Sequence, residues 1–195
     1  MWKSLVLGAA ALLTAASANA ATATWSAGNG HSYEVVLFGN GPGLTWEQSR
    51  DAAAARSIGG QTGYLATFTT KDEWAFVTGA LNSAKHDLFL GATDTEAEGI
   101  WKWVVGPEAG TLLSDGYTAW NRGEPHDHGR GGEDYLAGWS YGRNTGWNDM
   151  PGRHTAIKGY LVEYGSVAPV PLPAALPLAR AAIGALAGLR RLRRG

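Results

Sequence analysis

The chain has 195 residues, no cysteine and a formal net charge of −1 at pH 7. Without Lys3 and the five arginines beyond residue 165, residues 21–165 keep ten basic against seventeen acidic side chains, a net charge near −7. This excess of acid disfavours nucleic acid as a partner and favours cations, and without disulfides stability must come from the core or from bound metal.

Residues 1–20 have the composition of a secretory signal peptide. Lys3 precedes an apolar stretch, and Ala18-Asn19-Ala20 ends it with the small-x-small pattern of a cleavage site. A buried helix is the alternative interpretation. We therefore expect an exported protein whose first twenty residues play no part in the fold.

A strand and a helix are predicted next. The segment "HSYEVVLF" (31–38) is rich in β-branched and aromatic residues, which favours a strand, and a turn-forming "GNGPG" follows it. The segment 44–60 predicts a helix with Thr45 as N-cap and Gln48 three residues later. Gly59-Gly60 is expected to stop this helix.

A second helix is predicted over residues 69–83, with Thr70 and Glu73 as a capping box and apolar residues at helical spacing. A short buried strand is predicted at 87–94. From there to about residue 150 the chain reads as a long loop-rich region, with three further strand candidates at 100–105, 134–139 and 159–164. Helices before strands indicate an α+β fold rather than an alternating parallel sheet.

The C-terminal segment, residues 166–195, differs from a folded domain. A Pro-rich spacer leads into an apolar run of sixteen residues, Ala174 to Leu189, which is shorter than the roughly 20 residues that span a bilayer. Pro177 and Arg180 interrupt the run, so we expect at most a transient membrane anchor. An alternative is a disordered basic tail.

The stretch "VPLPA" (170–174), followed by the apolar run and an arginine-rich end, resembles the C-terminal sorting tails of Gram-negative bacteria, of the PEP-CTERM type and its VPLPA variant. That resemblance implies that a processing enzyme in the membrane reads and removes the tail. The domain between the two ends, residues 21–165, would then reside at the cell surface or outside the cell.

The segment "EPHDHGRGGEDYL" (124–136) concentrates acidic side chains between glycines. Carboxylate and amide oxygens also follow at 148–149 and precede at 94–98. Hard divalent cations such as calcium bind six to eight oxygens of these kinds. The pattern alone is equally compatible with a metal site and with a solvated acidic loop.

The order of "LFLGATDTEAEGIWKW", "YTAWNRGEPHDHGRGGEDYL", "GWNDMPG" and "GYLVEY" resembles the C-type lectin-like domain. The two predicted helices fit the same family, and the resemblance covers nearly all of residues 31–164. It implies two helices packed on small antiparallel sheets, with a long loop region that carries the site.

The resemblance also implies ligands. In calcium-binding members the matching positions form an ion site that grips sugar hydroxyls, and here they are Glu124, His126, Glu133, Asn148 and Asp149. The acids that match an auxiliary ion site are Asp94, Glu98, Asp127, Glu133 and Asp134. If calcium binds, the Glu124–Pro125 bond is expected to be cis.

The chain departs from the family pattern in three ways. His126 stands where the family has Asn or Asp, and imidazole is a poor ligand for a hard cation. The loop between the two glutamates is one residue longer than in the mannose-binding form. The family's cysteines are absent as complete pairs, and their places are taken by Ala53, Tyr135, Gly152 and Val162.

The sequence also offers three rival sites. A zinc site would use His126 and His128, but side chains two residues apart point away from each other on an extended chain. A serine hydrolase is suggested by "GWSYG" around Ser140 with Asp149 and His154 downstream, yet no helix is predicted after the serine. Glu124 and Glu133 as a glycosidase pair lack the apolar pocket that keeps one carboxyl protonated.

The aromatic residues have two interpretations. We expect burial for the tryptophans that match the family's core aromatics, Trp101, Trp103, Trp120 and Trp147. Trp139 and Tyr141 lie beside the acidic loops, where a role in stacking on a sugar ring is the alternative to a structural one.

The sequence thus predicts an exported, non-enzymatic module that binds calcium and, through it, a glycan or exopolysaccharide. The alternative is the same fold used for protein interaction or matrix structure, and His126 is the residue that most favours it. A secreted hydrolase is a remote third hypothesis.

Overall fold

The computed structural model describes residues 21–128, 131–138 and 145–165. Within these ranges the helices are α1 (Trp46–Ala54) and α2 (Lys71–Ala80). The strands there are β1 (Ala21–Thr24), β2 (Ser32–Leu37), β3 (Ser57–Ile58), β4 (Gln61–Leu65), β5 (Asp87–Thr93), β6 (Lys102–Trp103), β7 (Tyr135–Gly138), β8 (Trp147–Met150) and β9 (Ile157–Tyr164). The α+β class is confirmed, and no helix in these ranges has the length and apolar character needed to span a bilayer.

Strand β9 organises the sheet, whose main order is β1-β2-β9-β5-β7-β8. β9 pairs with β2 along Gly159–Tyr164 and with β4 along Val162–Tyr164, both antiparallel. Its first residues pair in parallel with the start of β5, where Asp87 faces Ile157. β5 then pairs with β7, and β7 with β8, so the late part of the chain forms one side of the sheet.

Helix α1 begins as predicted and ends earlier. Thr45 and Gln48 form the expected capping box, each side chain accepting a hydrogen bond from the other residue's backbone N–H. The helix stops at Ala54, whereas the prediction placed its stop at Gly59-Gly60. These two glycines have φ of 59° and 83° and connect β3 to β4, because left-handed glycines form the two-residue turn of a hairpin.

Helix α2 also begins at its predicted cap. The Glu73 backbone N–H donates to Thr70 Oγ1, but the Glu73 carboxylate accepts from the N–H of Thr69 instead of closing a capping box on Thr70. Helix α2 ends at Ala80, and a 3-10 turn covers Ser83–Lys85. The predicted strand at 100–105 is reduced to two residues of β6, and β8 forms inside the region that was predicted as loop.

Trp147 lies at the centre of an aromatic core. Its indole is fully buried. Five other aromatic rings have centroids within 6.4 Å of the indole centroid, those of Phe68, Trp74, Trp103, Tyr117 and Trp120. Trp101 and Trp103 are buried and Trp120 packs against the cluster partly buried, which agrees with the predicted core role. Trp139 and Tyr141 lie outside the described residues.

The positions that replace the family's cysteines are adjacent in space. A Cβ added to Gly152 would lie 2.8 Å from the Tyr135 ring, so the aromatic side chain fills the space beside the glycine. Ala53 and Val162 are both fully buried in one cluster, and both contact the position of a Cβ added to Gly63. Van der Waals packing therefore holds the chain together at both points.

A buried polar network fastens α2 and the N-terminal segment to β9. Glu163 is 1% exposed, and its Oε1 lies 2.6 Å from His31 Nδ1 while its Oε2 accepts the Thr67 N–H at 3.0 Å. The Tyr33 hydroxyl donates to Glu73 Oε1 at 2.6 Å. Burial raises the pKa of Glu163, and the hydrogen bond from His31 opposes that shift. Such buried charge is tolerated because it is hydrogen bonded on both oxygens.

A second buried ion pair joins β2 to the end of α1. Glu34 is 4% exposed and accepts from Arg56 Nη2 at 2.5 Å and from Arg56 Nε at 2.8 Å. The Tyr164 hydroxyl also donates to the same carboxylate. Burial alone would raise the pKa of Glu34, but the hydrogen bonds from Arg56 and Tyr164 lower it below its ordinary value.

We predict that Arg56→Met lowers the free energy of unfolding by about 3 kcal/mol, because it leaves the Glu34 carboxylate buried without its cation. Chemical denaturation of the full chain measures this loss. The double variant Glu34→Gln/Arg56→Met is the matched control and should recover most of the stability, since no unpaired charge stays buried. An Arg56→Met protein as stable as the parent would contradict the assignment.

The same pair sets a pH dependence. Because the folded state lowers the pKa of Glu34, its contribution to stability is present above the ordinary value of 4.5 and is lost as the pH falls through the folded-state value. The parent protein should therefore lose more stability below pH 4.5 than the double variant does.

Candidate functional site

The C-terminal ends of β5 and β8 and the N-terminal end of β7 lie together at one end of the sheet. Asp94 follows β5, Glu133 and Asp134 precede β7, and Asn148 and Asp149 lie in β8. The register places Thr93 beside Tyr135, and Leu136 beside Asp149. The backbone N–H of Asp94 also donates to Asp134 O at 3.3 Å. The antiparallel ladders thus gather acidic residues from three separate segments.

The first cluster surrounds the imidazole of His126. Its Nδ1 lies 2.8 Å from Glu124 Oε2, 3.4 Å from Asp149 Oδ1 and 3.5 Å from Glu133 Oε2. The ring is 42% exposed, whereas the Asp149 side chain is only 1% exposed. The carboxylates of Glu124, Glu133 and Asp149, three of the predicted ligands, therefore converge on His126 Nδ1.

Asp149 holds the loop in place. Its Oδ2 accepts the backbone N–H of His126 at 2.8 Å and that of Asp127 at 2.7 Å. Asp127 has a φ of 47°, a left-handed conformation that Asp tolerates better than most residues. The Glu124–Pro125 peptide bond just before it is cis.

Several buried oxygens in this region lack a hydrogen-bond donor. Among the described residues, Glu124 Oε2, Asn148 Oδ1 and Asp149 Oδ1 are buried and accept no hydrogen bond, although His126 Nδ1 approaches two of them. The Asn148 amide N–H donates to Met150 Sδ at 3.2 Å, which leaves the carbonyl oxygen as its unpaired atom. Buried oxygens without a donor are the atoms that a hard cation would satisfy, so the residues present fit calcium.

The electrostatics of the cluster reflect crowding of like charge. Burial raises the pKa of Glu124, Asp149 and Glu133 raise it further, and His126 opposes them. Loss of hydration lowers the pKa of His126, but the attraction of Glu124 and Asp149 outweighs this effect and raises it. Both shifts show that the acids of this loop favour a positive charge among them.

A second cluster lies at the end of β5. Asp94, Glu98 and Asp134 each offer a carboxylate oxygen, and these atoms lie within 4.8 Å of one another. Asp94 Oδ2 accepts the Gly99 N–H at 2.8 Å, and its Oδ1 is buried without a hydrogen bond. Burial, together with Asp134 and Asp149, raises the pKa of Asp94.

Two predicted auxiliary ligands make other contacts. Asp127 Oδ1 accepts the Glu133 N–H at 2.9 Å and is not a member of the compact group of three. Glu133 Oε2 accepts the His128 N–H at 2.9 Å and faces the first cluster through His126. These hydrogen bonds close the loop on itself.

The prediction that the two histidines of the loop point away from each other is wrong. Their rings stack at a centroid distance of 5.4 Å and an interplanar angle of 18°. The extended backbone assumed for them is interrupted by the left-handed Asp127, which turns both side chains to one side. Of the two, only His126 belongs to a metal-capable group among the described residues, with Glu124 and Asp149.

The rival catalytic site has little described structure. Ser140 lies outside the described residues. Asp149 is engaged by the backbone of the acidic loop, and His154 Nδ1 accepts the N–H of Ala156 at 3.2 Å.

One concave region was missed by the sequence analysis. A cavity of about 470 Å³ is lined by residues from 37–44, from 153–158 and by His86. The available signal was the run "GRHTAIK" (152–158), in which three basic or imidazole side chains occur in seven positions of an otherwise acidic domain.

Comparison with solved structures identifies the fold. The carbohydrate-recognition domain of cow CD23, crystallised in the presence of a GlcNAc2Man3 oligosaccharide, is 20% identical, with a TM-score of 0.54 over 70% of this chain and 88% of that one. A Ca²⁺-dependent type II antifreeze protein in its Ca²⁺-free form is 18% identical, with a TM-score of 0.53 over 69% of this chain and 92% of that one.

Comparison of sequences gives the family. Halomucin of Haloquadratum walsbyi is 38% identical over 146 residues, which cover 71% of this chain but only 2% of halomucin's length. The family model described as the lectin C-type domain matches residues 43–155, more than half of the chain. With the two-helix fold and the acidic loop cluster, these matches show that the chain belongs to the C-type lectin domain family.

Proposed function

We propose that residues 21–165 form an exported, non-enzymatic module that binds calcium and, through the ion, a glycan or exopolysaccharide. The observation that carries this proposal is the convergence of Glu124, Glu133 and Asp149 on His126 Nδ1. Asn148, which precedes Asp149 in β8, has a buried side-chain oxygen without a hydrogen bond. Like charges gathered this closely in a partly buried place are stabilised by a dication.

The chain's own residues would hold and orient the ion. Glu124, Glu133 and Asp149 supply charge, and Asn148 supplies a neutral oxygen. Asp149 also fixes the backbone at 126–127, which sets the position of the loop between the glutamates. A bound calcium supplies coordination positions that neighbouring sugar hydroxyls can fill.

The fold relatives support a glycan partner without defining one. The cow CD23 domain was crystallised in the presence of an oligosaccharide, and the antifreeze relative is described as Ca²⁺-dependent. That second relative also supports the alternative function, a structural or protein-interaction module. His126 favours the alternative, because its ring nitrogen lies where the carboxylates converge.

Three further assignments complete the proposal. Asp94, Glu98 and Asp134 form an auxiliary ion site, with Asp127 nearby. Residues 1–20 act as a signal peptide and direct export. Residues 166–195 act as a sorting tail that anchors the protein transiently until a membrane enzyme processes it, which places the domain at the cell surface or in secreted matrix.

We predict that millimolar calcium raises the melting temperature of the full chain. A ligand that binds only the folded state stabilises it by about 2.7 kcal/mol at a hundredfold excess over its dissociation constant. Asp149→Asn should remove most of this shift, because it deletes a charge while keeping an acceptor for the loop. The exposed Asp51→Asn is the matched control and should keep the shift. A calcium response unchanged by Asp149→Asn would rule out the site.

His126→Asn should strengthen calcium binding roughly tenfold, equivalent to 1.4 kcal/mol. The substitution replaces a ring that competes for the carboxylates with an amide that supplies an oxygen. Calorimetric titration of calcium measures the change, and His128→Asn serves as the control, since that residue is outside the group of ligands. Equal or weaker binding by His126→Asn would show that the ring does not obstruct the ion.

Carbohydrate binding should depend on the ion. The full chain is expected to be retained on immobilised mannose or galactose in calcium and to elute with EDTA. Glu124→Gln should abolish retention while leaving the circular dichroism spectrum unchanged. Full retention in EDTA would contradict ion-mediated binding, whereas calcium stabilisation with no retention on a broad glycan panel would favour the structural alternative.

A further inference from the structure

The cavity lined by residues 37–44, 153–158 and His86 lies at the end of β5 opposite to the acidic clusters. His86 precedes β5 and lines the cavity, whereas Asp94 follows β5 and belongs to an acidic cluster. These two positions are eight residues apart along β5, which is roughly 26 Å at about 3.3 Å per residue. The cavity and the proposed calcium site are therefore distinct places on the domain.

The walls of the cavity are fixed by hydrogen bonds that span the chain. Arg153 Nη1 donates to Pro42 O at 3.3 Å and to Gly43 O at 3.4 Å. The Phe38 N–H donates to Lys158 O at 2.9 Å. The loop 39–43 and the loop 153–158 thus form a preformed cleft between them, with a volume of about 470 Å³ that suits a small ligand.

The charge of the cavity is opposite to that of the domain. His86, Arg153, His154 and Lys158 all line it, and no Asp or Glu is among the described residues that do. The acid nearest in sequence, Asp87, pairs in the sheet with Ile157 and is not part of the lining. A cleft lined by one sign of charge concentrates ligands of the opposite sign, and here it does so in a domain whose net charge is near −7.

The other residues that line the cavity indicate which shape of ligand fits it. Phe38, Leu44 and Ile157 supply an apolar wall, whereas the glycine-rich loop and Thr155 supply backbone and hydroxyl groups. A sugar ring has an apolar C–H face and polar edges, and an acidic sugar adds one oxyanion. Guanidinium and ammonium groups are suited to that oxyanion.

We propose that this cavity binds an acidic sugar residue through its oxyanion, with Lys158 and Arg153 as the principal cations. The charged group is a carboxylate, as in a uronate, or a sulfate ester, and the two present the same chemistry to the cavity. Binding here requires no calcium, so a charged polysaccharide would be held at two places of different chemistry on one domain.

The test titrates the full chain with glucuronic acid, glucose 6-sulfate, glucose or inorganic phosphate and follows binding by calorimetry. The buffer is freed of metal on a chelating resin, because EDTA is itself a polyanion and would compete. We expect saturable binding of at least one acidic sugar, weakened by added salt, and little binding of glucose. The stronger of the two acidic sugars identifies the oxyanion.

Lys158→Glu should weaken that binding at least tenfold. Lys71→Glu makes the same charge change at an exposed position outside the cavity and should leave binding within about twofold, because distant surface charges are screened. Lys158→Gln is a milder second variant if Lys158→Glu fails to fold, and it should also weaken binding.

Three results would overturn the proposal. These are no saturable binding of either acidic sugar, equal losses in the Lys158 and Lys71 variants, and inorganic phosphate binding as tightly as the acidic sugars. The last result would mean that the ring is not recognised. Because the titration is free of metal, each outcome is independent of whether calcium binds at Glu124, Glu133 and Asp149.

Discussion

Repulsion between carboxylates is the constraint on which the functional end of this molecule depends. The sheet register alone would bring the acids of three segments together, since the ends of β5, β7 and β8 share one edge. The structure offsets the repulsion with hydrogen bonds from loop amides to Asp149 and with the imidazole of His126. Among the residues that the structure describes, Glu124 Oε2 and Asp149 Oδ1 stay buried without a hydrogen bond.

The acidic residues can be held close together because the strand that carries Asn148 and Asp149 is anchored in the aromatic core. Trp147 immediately precedes Asn148 and Asp149 in β8, and five aromatic rings surround it. The Glu163 network ties β9 to α2 and to the N-terminal segment. In a chain without cysteine, aromatic packing and buried polar bonds hold the strands that carry the ligands.

Local signals were sufficient for much of the fold. Helix caps at Thr45 and Thr70 were predicted because a capping pattern is a property of four adjacent residues. Strand β8 was missed because all four of its residues are buried and it shows no alternation. The stacking of the two loop histidines depends on the single left-handed residue between them, and the basic cavity joins segments more than a hundred positions apart, which no local pattern reveals.

The place of β9 in the chain has a consequence for how the domain is made. This strand is the last one in the described fold, yet it contributes hydrogen bonds to β2, β4 and β5. A nascent chain that has been synthesised only to residue 150 would hold both helices and most strands, but with open edges where β9 belongs. The native sheet can therefore close only when synthesis of the domain is nearly complete.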